Sequence, residues 1–552
     1  MLRIPQIKIN LNELYKKYEK EITEQGWERF YGQLEPDMLQ KKVTKFLSCS
    51  PKDLRACNIV RRSMDARKKS EICYSYCVDV LLGKELEKRI LKREKKGRVI
   101  KSEKKLYNPK VTGTEALLHP PVIVGLGPAG LICALELAKQ GYAPIVFERG
   151  NDVDSRMQDV EEFWETGILK ENSNVQFGEG GAGTFSDGKL NTTVKDVTGR
   201  NGKVLEILVE HGAPKEILYQ QKPHIGTDCL CKIVKNIREK IKEYGGEIHF
   251  LSQVTNIKKN HKGELRAVEL NGNQWVDAQV AVFAIGHSAR DTFSMLKEEQ
   301  VNMEQKSFAI GVRVEHLQES ISKHQYGVLS QVLPAADYKL TYQANTGRSI
   351  FSFCMCPGGF VVNASSEQEC LVVNGMSNQK RDEKNANSAI VVNVEPKDFD
   401  SEDVLAGVEF QRKWERAAYQ AGKGKIPVQC YGDFKTKQLS TKYGSIKPNT
   451  KGKENFGNLW DCLPDYVCET LIEGMEYFGT CIPGYNAEDT VFLGVETRTS
   501  SPVRIVRNRE LESNIKGLYP CGEGAGYAGG ITSAAMDGLR IYEAIINKYK
   551  PV

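Results

Sequence analysis

Long apolar runs are absent from this sequence, and its most apolar stretch is not continuous. Residues Pro121 to Ala138 read PVIVGLGPAGLICALELA, in which glycines and Glu136 interrupt the apolar side chains. A membrane-spanning helix needs about 20 apolar residues in succession. The segment from Met1 to Glu21 interleaves charged with apolar residues and lacks the apolar centre of a secretory signal. We therefore expect a soluble, cytoplasmic protein with no membrane span.

Signatures of several other protein classes are also missing. The 15 cysteines form no Cys-x-x-Cys pair, and the two closest pairs are Cys229/Cys231 and Cys354/Cys356. An odd number of cysteines without such spacing is typical of reduced thiols in a cytosolic protein. No zinc-ligand spacing, P-loop or Ser-His-Asp signature occurs in the sequence. A metal site, phosphoryl transfer and hydrolysis therefore find no support.

The charge balance gives little indication of a nucleic-acid partner. The 77 basic and 71 acidic side chains leave a net charge of only +6. One stretch, from Lys84 to Lys105, is rich in lysine and arginine but is interrupted by Glu85, Glu87, Glu94 and Glu103. Such interspersed acids favour a solvated helix over an RNA-binding surface, and RNA contact is kept as the alternative.

The strongest positive signal is a strand, a glycine-rich turn and a helix that follow one another from Val122. Residues Val122 to Val124 predict the strand, and Gly125, Gly127 and Gly130 supply the Gly-x-Gly-x-x-Gly turn of a dinucleotide site. The first glycine permits the tight turn, the second lets the backbone approach the pyrophosphate, and the third allows the helix to pack closely on the strand. The N-terminus of the helix then faces the phosphates.

The next predicted strand, Ile145 to Phe147, ends in a carboxylate at Glu148. A carboxylate at this position accepts hydrogen bonds from ribose hydroxyls and repels a 2′-phosphate. The bound dinucleotide is therefore expected to be FAD or NAD and not NADP.

The end of the chain resembles the closing FAD motif of glutathione-reductase-type Rossmann flavoproteins. It reads GLYPCGEGAGYAGGITSAAMDG from Gly517, with a strand that ends in Gly-Glu and a helix predicted to begin near Ile531. By that resemblance, Glu523 lies against the ribityl and pyrophosphate groups of FAD, and the helix N-terminus faces the flavin. The strand end Ala284-Ile285-Gly286 resembles the Ala-Thr-Gly of the same flavoproteins, although a buried strand and turn would explain it equally well. The resemblance selects FAD as the cofactor.

A second glycine-rich segment, NVQFGEGGAGTFSDGKLNT from Asn174, follows no apolar strand and precedes no helical pattern, so we predict a loop. With DVDSRM before it and ETRTSSPVRIVR near the C-terminus, this loop makes the chain resemble the FAD-dependent proteins labelled NAD(FAD)-utilising dehydrogenases. The resemblance extends over nearly the full length. It implies that the loop from Gly180 to Lys189 lines the flavin and that Arg156 lies near the FAD phosphates, but it leaves the substrate open.

The predicted FAD-binding residues belong to these motifs and to the strands beside them. They are Gly125, Gly127, Pro128, Ala129, Gly130, Glu148, Arg149, Arg156, Gly180, Gly181, Gly183, Thr184, Lys189, Val254, Gly286, Gly522, Glu523, Gly530 and Ile531.

The predicted catalytic residues are Arg498, His287 and Arg313. Arg498 could grip a substrate carboxylate, with an ion-paired strand face as the alternative. His287 and the RVEH segment from Arg313 to His316 are the acid-base candidates, since histidine titrates near neutral pH, although most lone histidines are structural. Cys354 and Cys356 could form a redox pair, but Cys-x-Cys strains a disulfide and the pair fits a packed core better.

A chain of 552 residues is too long to fold around one hydrophobic core, and we expect an α/β protein of several domains. The prediction is a Rossmann-type FAD-binding domain with an inserted, mainly β (α+β) substrate domain and a small N-terminal α+β domain. The boundaries are 1–83 for the N-terminal domain, 84–118 for a basic helix and linker, 119–304 and 488–552 for the FAD-binding domain, and 305–487 for the substrate domain.

The expected function is flavin-mediated hydride transfer on a small-molecule substrate. A single dinucleotide fingerprint leaves no dedicated nicotinamide domain, so NAD(P)H would dock transiently. An RNA-modifying flavoprotein and a non-catalytic redox sensor are the alternatives, and the oligomeric state stays open.

Overall fold

The computed structural model describes residues 1–94, 97–103 and 107–551 and begins with a four-stranded antiparallel sheet covered by helices. The alternation of Tyr74, Tyr76, Val78 and Val80 places all four side chains in the core between sheet and helices. The elements of this part are β1 (Leu2–Asn10), α1 (Leu11–Gln25), α2 (Trp27–Leu47), β2 (Ala56–Asp65), β3 (Cys73–Leu81), α3 (Lys84–Arg93) and β4 (Ile100–Lys101). Their strand order is β2-β3-β1-β4.

The stretch that we expected to be a helix and linker contributes a strand to this first sheet. Helix α3 ends at Arg93, and β4 pairs with the outer edge of β1, where Leu2 lies opposite Lys101. An uncovered edge exposes unpaired backbone groups, which the short strand satisfies. In α3, Glu85 pairs with Lys88 and Glu87 with the N-terminal amine. Four of the basic residues in this stretch, Lys95, Lys96, Lys104 and Lys105, lie outside the described residues.

A five-stranded parallel sheet forms the middle of the protein. Its region contains β5 (Val122–Val124), α4 (Pro128–Lys139), β6 (Ile145–Phe147), α5 (Val153–Thr166), α6 (Arg200–Glu210), α7 (Thr227–Glu243), β7 (Glu247–His249), β8 (Val254–Lys259), β9 (Leu265–Leu270), β10 (Gln274–Asp277), β11 (Ala281–Phe283) and α8 (Arg290–Glu298). The inner strands of the parallel sheet are buried on both faces, as their uninterrupted apolar residues require. Helices α4, α6 and α7 cover one face, and β8 to β10 with α8 cover the other.

A seven-stranded, mainly antiparallel sheet follows. Its region contains β12 (Met303–Gln305), β13 (Phe308–Leu317), α9 (Gln318–Tyr326), β14 (Thr341–Gln343), β15 (Ser349–Cys356), β16 (Phe360–Asn363), β17 (Val373–Met376), β18 (Asn385–Val394), α10 (Ala406–Ala421), β19 (Ile426–Cys430), α11 (Tyr431–Lys435), β20 (Thr450–Lys451), β21 (Glu454–Phe456), α12 (Asp465–Cys481) and β22 (Val491–Glu496). The strand order of the large sheet is β14-β15-β18-β13-β22-β19-β21.

The last segment returns the chain to the parallel sheet through β23 (Val503–Ile505), β24 (Leu518–Pro520) and α13 (Ile531–Lys548). Strand β24 pairs with β11, giving the order β24-β11-β5-β6-β7, so two separated stretches build one sheet. The chain leaves the large sheet only after β22, which ends at Glu496, and so later than the boundary that we expected at residue 488. Strand β22 is buried throughout and pairs with β13 and β19, because its apolar run needs cover on both faces. None of the described helices has the length and apolar character to cross a membrane.

Candidate functional site

A cavity opens at the carboxyl ends of β5, β6, β11 and β24. Its empty space, including the part that is open to solvent, is about 950 Å³. In open α/β sheets, ligands bind at this edge. The predicted residues that line it are Gly125, Gly127, Pro128, Ala129, Glu148, Arg149, Gly181, Gly183, Val254, Gly286, His287, Glu523, Gly530 and Ile531.

Two glycines of the first motif are required by packing within the protein. Gly125 has φ +94°, and a Cβ there would lie 2.6 Å from the carbonyl oxygen of Ala284. A Cβ on Gly130 would lie 2.0 Å from the carbonyl oxygen of Gly125, although Gly130 itself does not line the cavity. The strand, turn and helix can therefore approach this closely only without side chains at these two positions.

Gly127 and Gly530 line the cavity without any such need. The nearest atom to a Cβ on Gly127 is the Cα of Gly181 at 3.8 Å, an ordinary contact, and a Cβ on Gly530 would have no neighbour within 4 Å. Neither residue has a left-handed backbone. A Cβ atom at either position would meet no protein atom at short range but would take up space in the cavity, which a closely bound ligand would forbid.

Glu148 is buried at the end of β6 and organises the turns around it. Its Oε2 accepts from the backbone N–H of Leu126 at 2.7 Å, and its Oε1 accepts from those of Gly150 and Gly178, both at 3.0 Å. An ionised carboxylate has about four acceptor positions. Three are used by the protein, which leaves acceptor capacity at the cavity wall.

Arg149 lies beside Glu148 with its guanidinium 4.1 Å from the ring centre of Phe177. Its two Nη atoms donate to Asp291 and Asn172 at 2.8 to 2.9 Å. The Nε atom is buried and has no hydrogen-bond partner among the described residues. A buried donor without a partner is costly, and here it belongs to a residue of the cavity wall.

The second glycine-rich segment is a loop with one short 3-10 turn, Gly181–Phe185, as predicted. Arg156 is fully buried behind this loop and does not line the cavity, so its guanidinium cannot contact a phosphate bound there. Its guanidinium donates to the carbonyl oxygens of Asn174, Val175, Gly178, Glu179 and Gly181 at 2.7 to 3.3 Å. Arg156 therefore holds the loop in place. Gly180 and Thr184 likewise lie outside the cavity wall.

His287 and Glu523 form a pair on the wall between β11 and β24. The Nδ1 atom of His287 lies 2.8 Å from Oε1 of Glu523, and both side chains are mostly buried. Gly522 lies behind this pair, where its N–H donates to Asp537, the carboxylate that also binds Arg507. A histidine that contacts a carboxylate thus lines the cavity.

Arg498 lies one step behind the wall and is already paired. Its guanidinium binds both oxygens of Glu415 at 2.7 and 3.0 Å and donates to Ser288, a residue of the wall, at 3.1 Å. Glu415 is fully buried and is shared with Arg290. The ion-paired alternative is therefore the arrangement observed. No sequence pattern pointed to Glu415, since it lies 83 residues away from Arg498.

Arg313 and His316 are distant from the described cavity wall. Arg313 is fully buried on β13 and is paired with Glu496 at 2.6 and 3.1 Å. The Nε2 of His316 lies 2.8 Å from the carbonyl oxygen of Tyr485, and burial lowers the pKa of His316 to about 4. His316 is therefore a neutral core residue at physiological pH.

Lys189 also lies outside the wall that the described residues form. Its ammonium donates to Oδ2 of Asp187 at 2.6 Å and to the carbonyl oxygen of Met355. Cys354 and Cys356, on the neighbouring strand β15, are both free thiols.

Family models match two separate parts of the chain. Residues 307–499 match the model described as "FAD-dependent protein, C-terminal domain-like", and residues 1–81 match a domain of unknown function. A protein of Clostridium beijerinckii, described as uncharacterized, is 50% identical over 519 residues, which cover 93% of this chain and 96% of that protein. The chain belongs to the family of that protein. FAD is its cofactor.

The solved structures with a weak likeness to this chain include a dehydrogenase and an oxidase. L-Proline dehydrogenase from P. horikoshii is 14% identical with a TM-score of 0.30, over 79% of this chain and 93% of that one. Glycine oxidase from Bacillus cereus is 10% identical with a TM-score of 0.33, over 76% of this chain and 93% of that one. At such scores the likeness carries no argument about this protein.

Proposed function

We propose that this protein is an FAD-dependent oxidoreductase that transfers a hydride between FAD and a small organic substrate, within the group labelled NAD(FAD)-utilising dehydrogenases. The observation that carries the proposal is the cavity at the carboxyl edge of the parallel sheet. At two of its glycines, Gly127 and Gly530, a Cβ atom would make no short contact with the protein, so packing within the protein does not require glycine there. The match to an FAD-dependent family model supports the same cofactor.

Each part of the wall has a group suited to one part of FAD. The spare acceptor capacity of Glu148 suits the adenosine ribose hydroxyls, and the unpaired Nε of Arg149 suits an acceptor on the same half of the cofactor. The N-terminus of α4, which begins at Pro128, suits the pyrophosphate. The N-terminus of α13, which begins at Ile531, suits the electron-rich edge of the flavin. When bound, FAD supplies the hydride acceptor or donor.

His287 is the residue best placed to hold or move a proton during the reaction. Its Nδ1 lies against the Glu523 carboxylate, which orients the ring and leaves Nε2 as the nitrogen that can accept a proton. Arg498, paired with Glu415, would act by positioning Ser288 and not by touching substrate.

The electrons are proposed to come from a nicotinamide that docks transiently or from the substrate itself. The test is the visible spectrum of the purified protein, followed without oxygen while NADH and then NADPH are added. Flavin bands that bleach with one donor support a nicotinamide-linked reductase. If the flavin bands persist with both donors, the electrons are proposed to come from the substrate. Metabolites are then screened for those that bleach the bands. A colourless protein that binds no added FAD would contradict the proposal.

A further inference from the structure

The turn that carries Glu523 contains three glycines and has little conformational preference of its own. It runs from Gly522 to Tyr527, between the end of β24 and the start of α13. Two backbone hydrogen bonds close it, from Gly526 to the carbonyl oxygen of Glu523 at 2.9 Å and from Tyr527 to that of Gly522 at 3.1 Å. Glycine adopts many backbone conformations at little cost, so these two bonds alone do not fix the direction of the Glu523 side chain.

The position of this turn decides whether Glu523 reaches His287. A Cβ atom on Gly524 would lie 2.4 Å from the carbonyl oxygen of Gly286, so the turn packs directly on the backbone next to His287. With the turn in this place, the carboxylate of Glu523 lies 2.8 Å from Nδ1 of His287. A shift of about 1 Å would break this contact, because a separation beyond about 3.5 Å is no longer a hydrogen bond.

A buried ion pair, formed by Arg507 and Asp537, holds both ends of the turn. At its start, Oδ2 of Asp537 accepts from the backbone N–H of Gly522 at 2.9 Å. At its end, the guanidinium of Arg507 lies 3.7 Å from the ring centre of Tyr527. The same guanidinium donates at 3.0 Å to the carbonyl oxygen of Pro520, the last residue of β24. The pair therefore ties the turn to β24 and to α13, the helix that carries Asp537.

The ion pair has almost no contact with water. Nη1 and Nη2 of Arg507 donate to Oδ2 and Oδ1 of Asp537 at 2.9 and 2.8 Å, and the two side chains are 3% and 4% exposed. A buried ion pair is weak evidence for stability, because the loss of hydration offsets the attraction and well-packed apolar side chains often replace it without loss. Apolar side chains cannot replace the hydrogen bonds to Gly522 and Pro520. The pair thus supplies a geometry that an apolar pair of similar volume lacks.

We propose that Arg507 and Asp537 are positioning residues that hold the Glu523 carboxylate against His287 at the wall of the FAD cavity. Neither residue of the pair lines the cavity, so both act through the turn. This inference rests on the proposed function, in which His287 holds or moves a proton and Glu523 orients its ring. Without the pair, the glycine-rich turn has other conformations in which the carboxylate faces water.

The test replaces the whole pair, Arg507→Met together with Asp537→Leu, so that the net charge stays the same. Glu523→Gln removes the carboxylate itself and is the reference. Arg540→Met is the matched control, since Arg540 lies 3.5 Å from the same Asp537 but is 45% exposed. Each FAD-loaded protein is equilibrated without oxygen with a redox dye between pH 6 and 9, and the fraction of reduced flavin is read from the visible spectrum. Urea midpoints measured in parallel report the stability of the fold.

We expect Glu523→Gln to shift the equilibrium at least about 3-fold toward reduced flavin at about pH 9, well above the usual range in which histidine is charged. That factor corresponds to one unit charge roughly 10 Å away at an effective dielectric constant of about 50. The paired replacement should shift the equilibrium in the same direction and with the same pH profile, without lowering the urea midpoint. Combined with Glu523→Gln it should have no further effect, because the pair acts through Glu523. Arg540→Met should behave as the wild type.

A paired replacement that keeps the wild-type equilibrium, while Glu523→Gln shifts it, would assign the pair to the fold and overturn this inference alone. A shift that persists undiminished when Glu523→Gln is also present would overturn it too, since the pair would then act without Glu523. If Glu523→Gln itself changes nothing between pH 6 and 9, the proposed role of His287 and Glu523 fails as well. If the paired replacement does not fold, Arg507→Lys takes its place with the same expectations, because lysine keeps the charge but lacks the planar fork that joins Asp537 to Pro520.

Discussion

Replacing Glu415 with glutamine removes the negative charge that two buried arginines share. The Glu415 side chain is fully buried and lies 2.7 Å from both Arg290 and Arg498. Glutamine keeps the volume and one acceptor, but both guanidinium groups then stay buried with one counterion fewer. Breaking a buried ion pair in this way costs about 3 to 5 kcal/mol. At a slope of about 2 to 3 kcal/mol per molar urea, a loss of about 4 kcal/mol lowers the unfolding midpoint by roughly 1.3 to 2 M.

The same charge gives the effect of Glu415→Gln a definite pH dependence. Burial alone would raise the pKa of Glu415, but the guanidinium groups of Arg290 and Arg498 outweigh it and hold the pKa well below its usual range. A group with a lowered pKa in the folded state stabilises the fold above its unfolded pKa of about 4.3. That contribution is lost as pH falls through the folded pKa, so the difference between wild type and variant should shrink below about pH 4.

Urea unfolding followed by tryptophan fluorescence is the assay, with Glu409→Gln as the matched control. Glu409 lies on the same helix, α10, and pairs with an arginine, but its side chain is 59% exposed. An exposed pair is worth about 1 kcal/mol at most. Equal midpoint shifts for the two variants at pH 7 would refute the reasoning, as would a Glu415→Gln effect that persists unchanged at pH 3.

Three further changes test other parts of the structure. Gly127→Val should leave the circular dichroism spectrum unchanged but abolish the visible flavin absorbance; a folded variant that stays yellow would contradict the cofactor placement. Arg156→Met should weaken FAD binding at least about 10-fold in a fluorescence titration, because it frees the carbonyl groups of the loop, whereas the exposed Arg416→Met should not. Burial raises the pKa of Glu315 to about 7, so the contribution of Glu315 to stability should fall as pH rises from about 4 to 7, and Glu315→Gln should gain stability relative to wild type over that range in pH-dependent urea midpoints.

The strand, glycine turn and helix from Val122 to Lys139 are the part of the structure that the sequence allowed us to predict. A strand, a glycine turn and a helix that are adjacent in the chain must pack locally, so the residue types around Gly125 and Gly130 determine the geometry. The same holds for Ile531, where α13 begins as predicted. The loop character of Gly178 to Gly183 also followed from local pattern, because no apolar strand precedes it.

The charge networks could not be predicted, because their partners are distant in the chain. Arg498 and Arg290 meet at Glu415, and Lys189 and Arg381 meet at Asp187, across separations that pattern reasoning does not span. From the sequence alone, an arginine in a strand that binds substrate cannot be distinguished from one that pairs with a buried glutamate. Only the fold decides between these roles, which is why a substrate clamp and an ion-paired strand face both stayed open for Arg498.

Three consecutive residues at the end of β22 connect the large sheet to the wall of the cavity. Glu496 binds Arg313, Thr497 donates to Glu415, and Arg498 donates to Ser288, which in turn donates to Gln176. Ser288 and Gln176 both line the cavity in which we propose that FAD binds. Since this short segment is bonded both to the large sheet and to the cavity wall, a change at Glu415 should loosen FAD as well as the fold, whereas a change at Glu409 should alter neither. An FAD dissociation constant unchanged by Glu415→Gln would mean that this segment supports the fold alone.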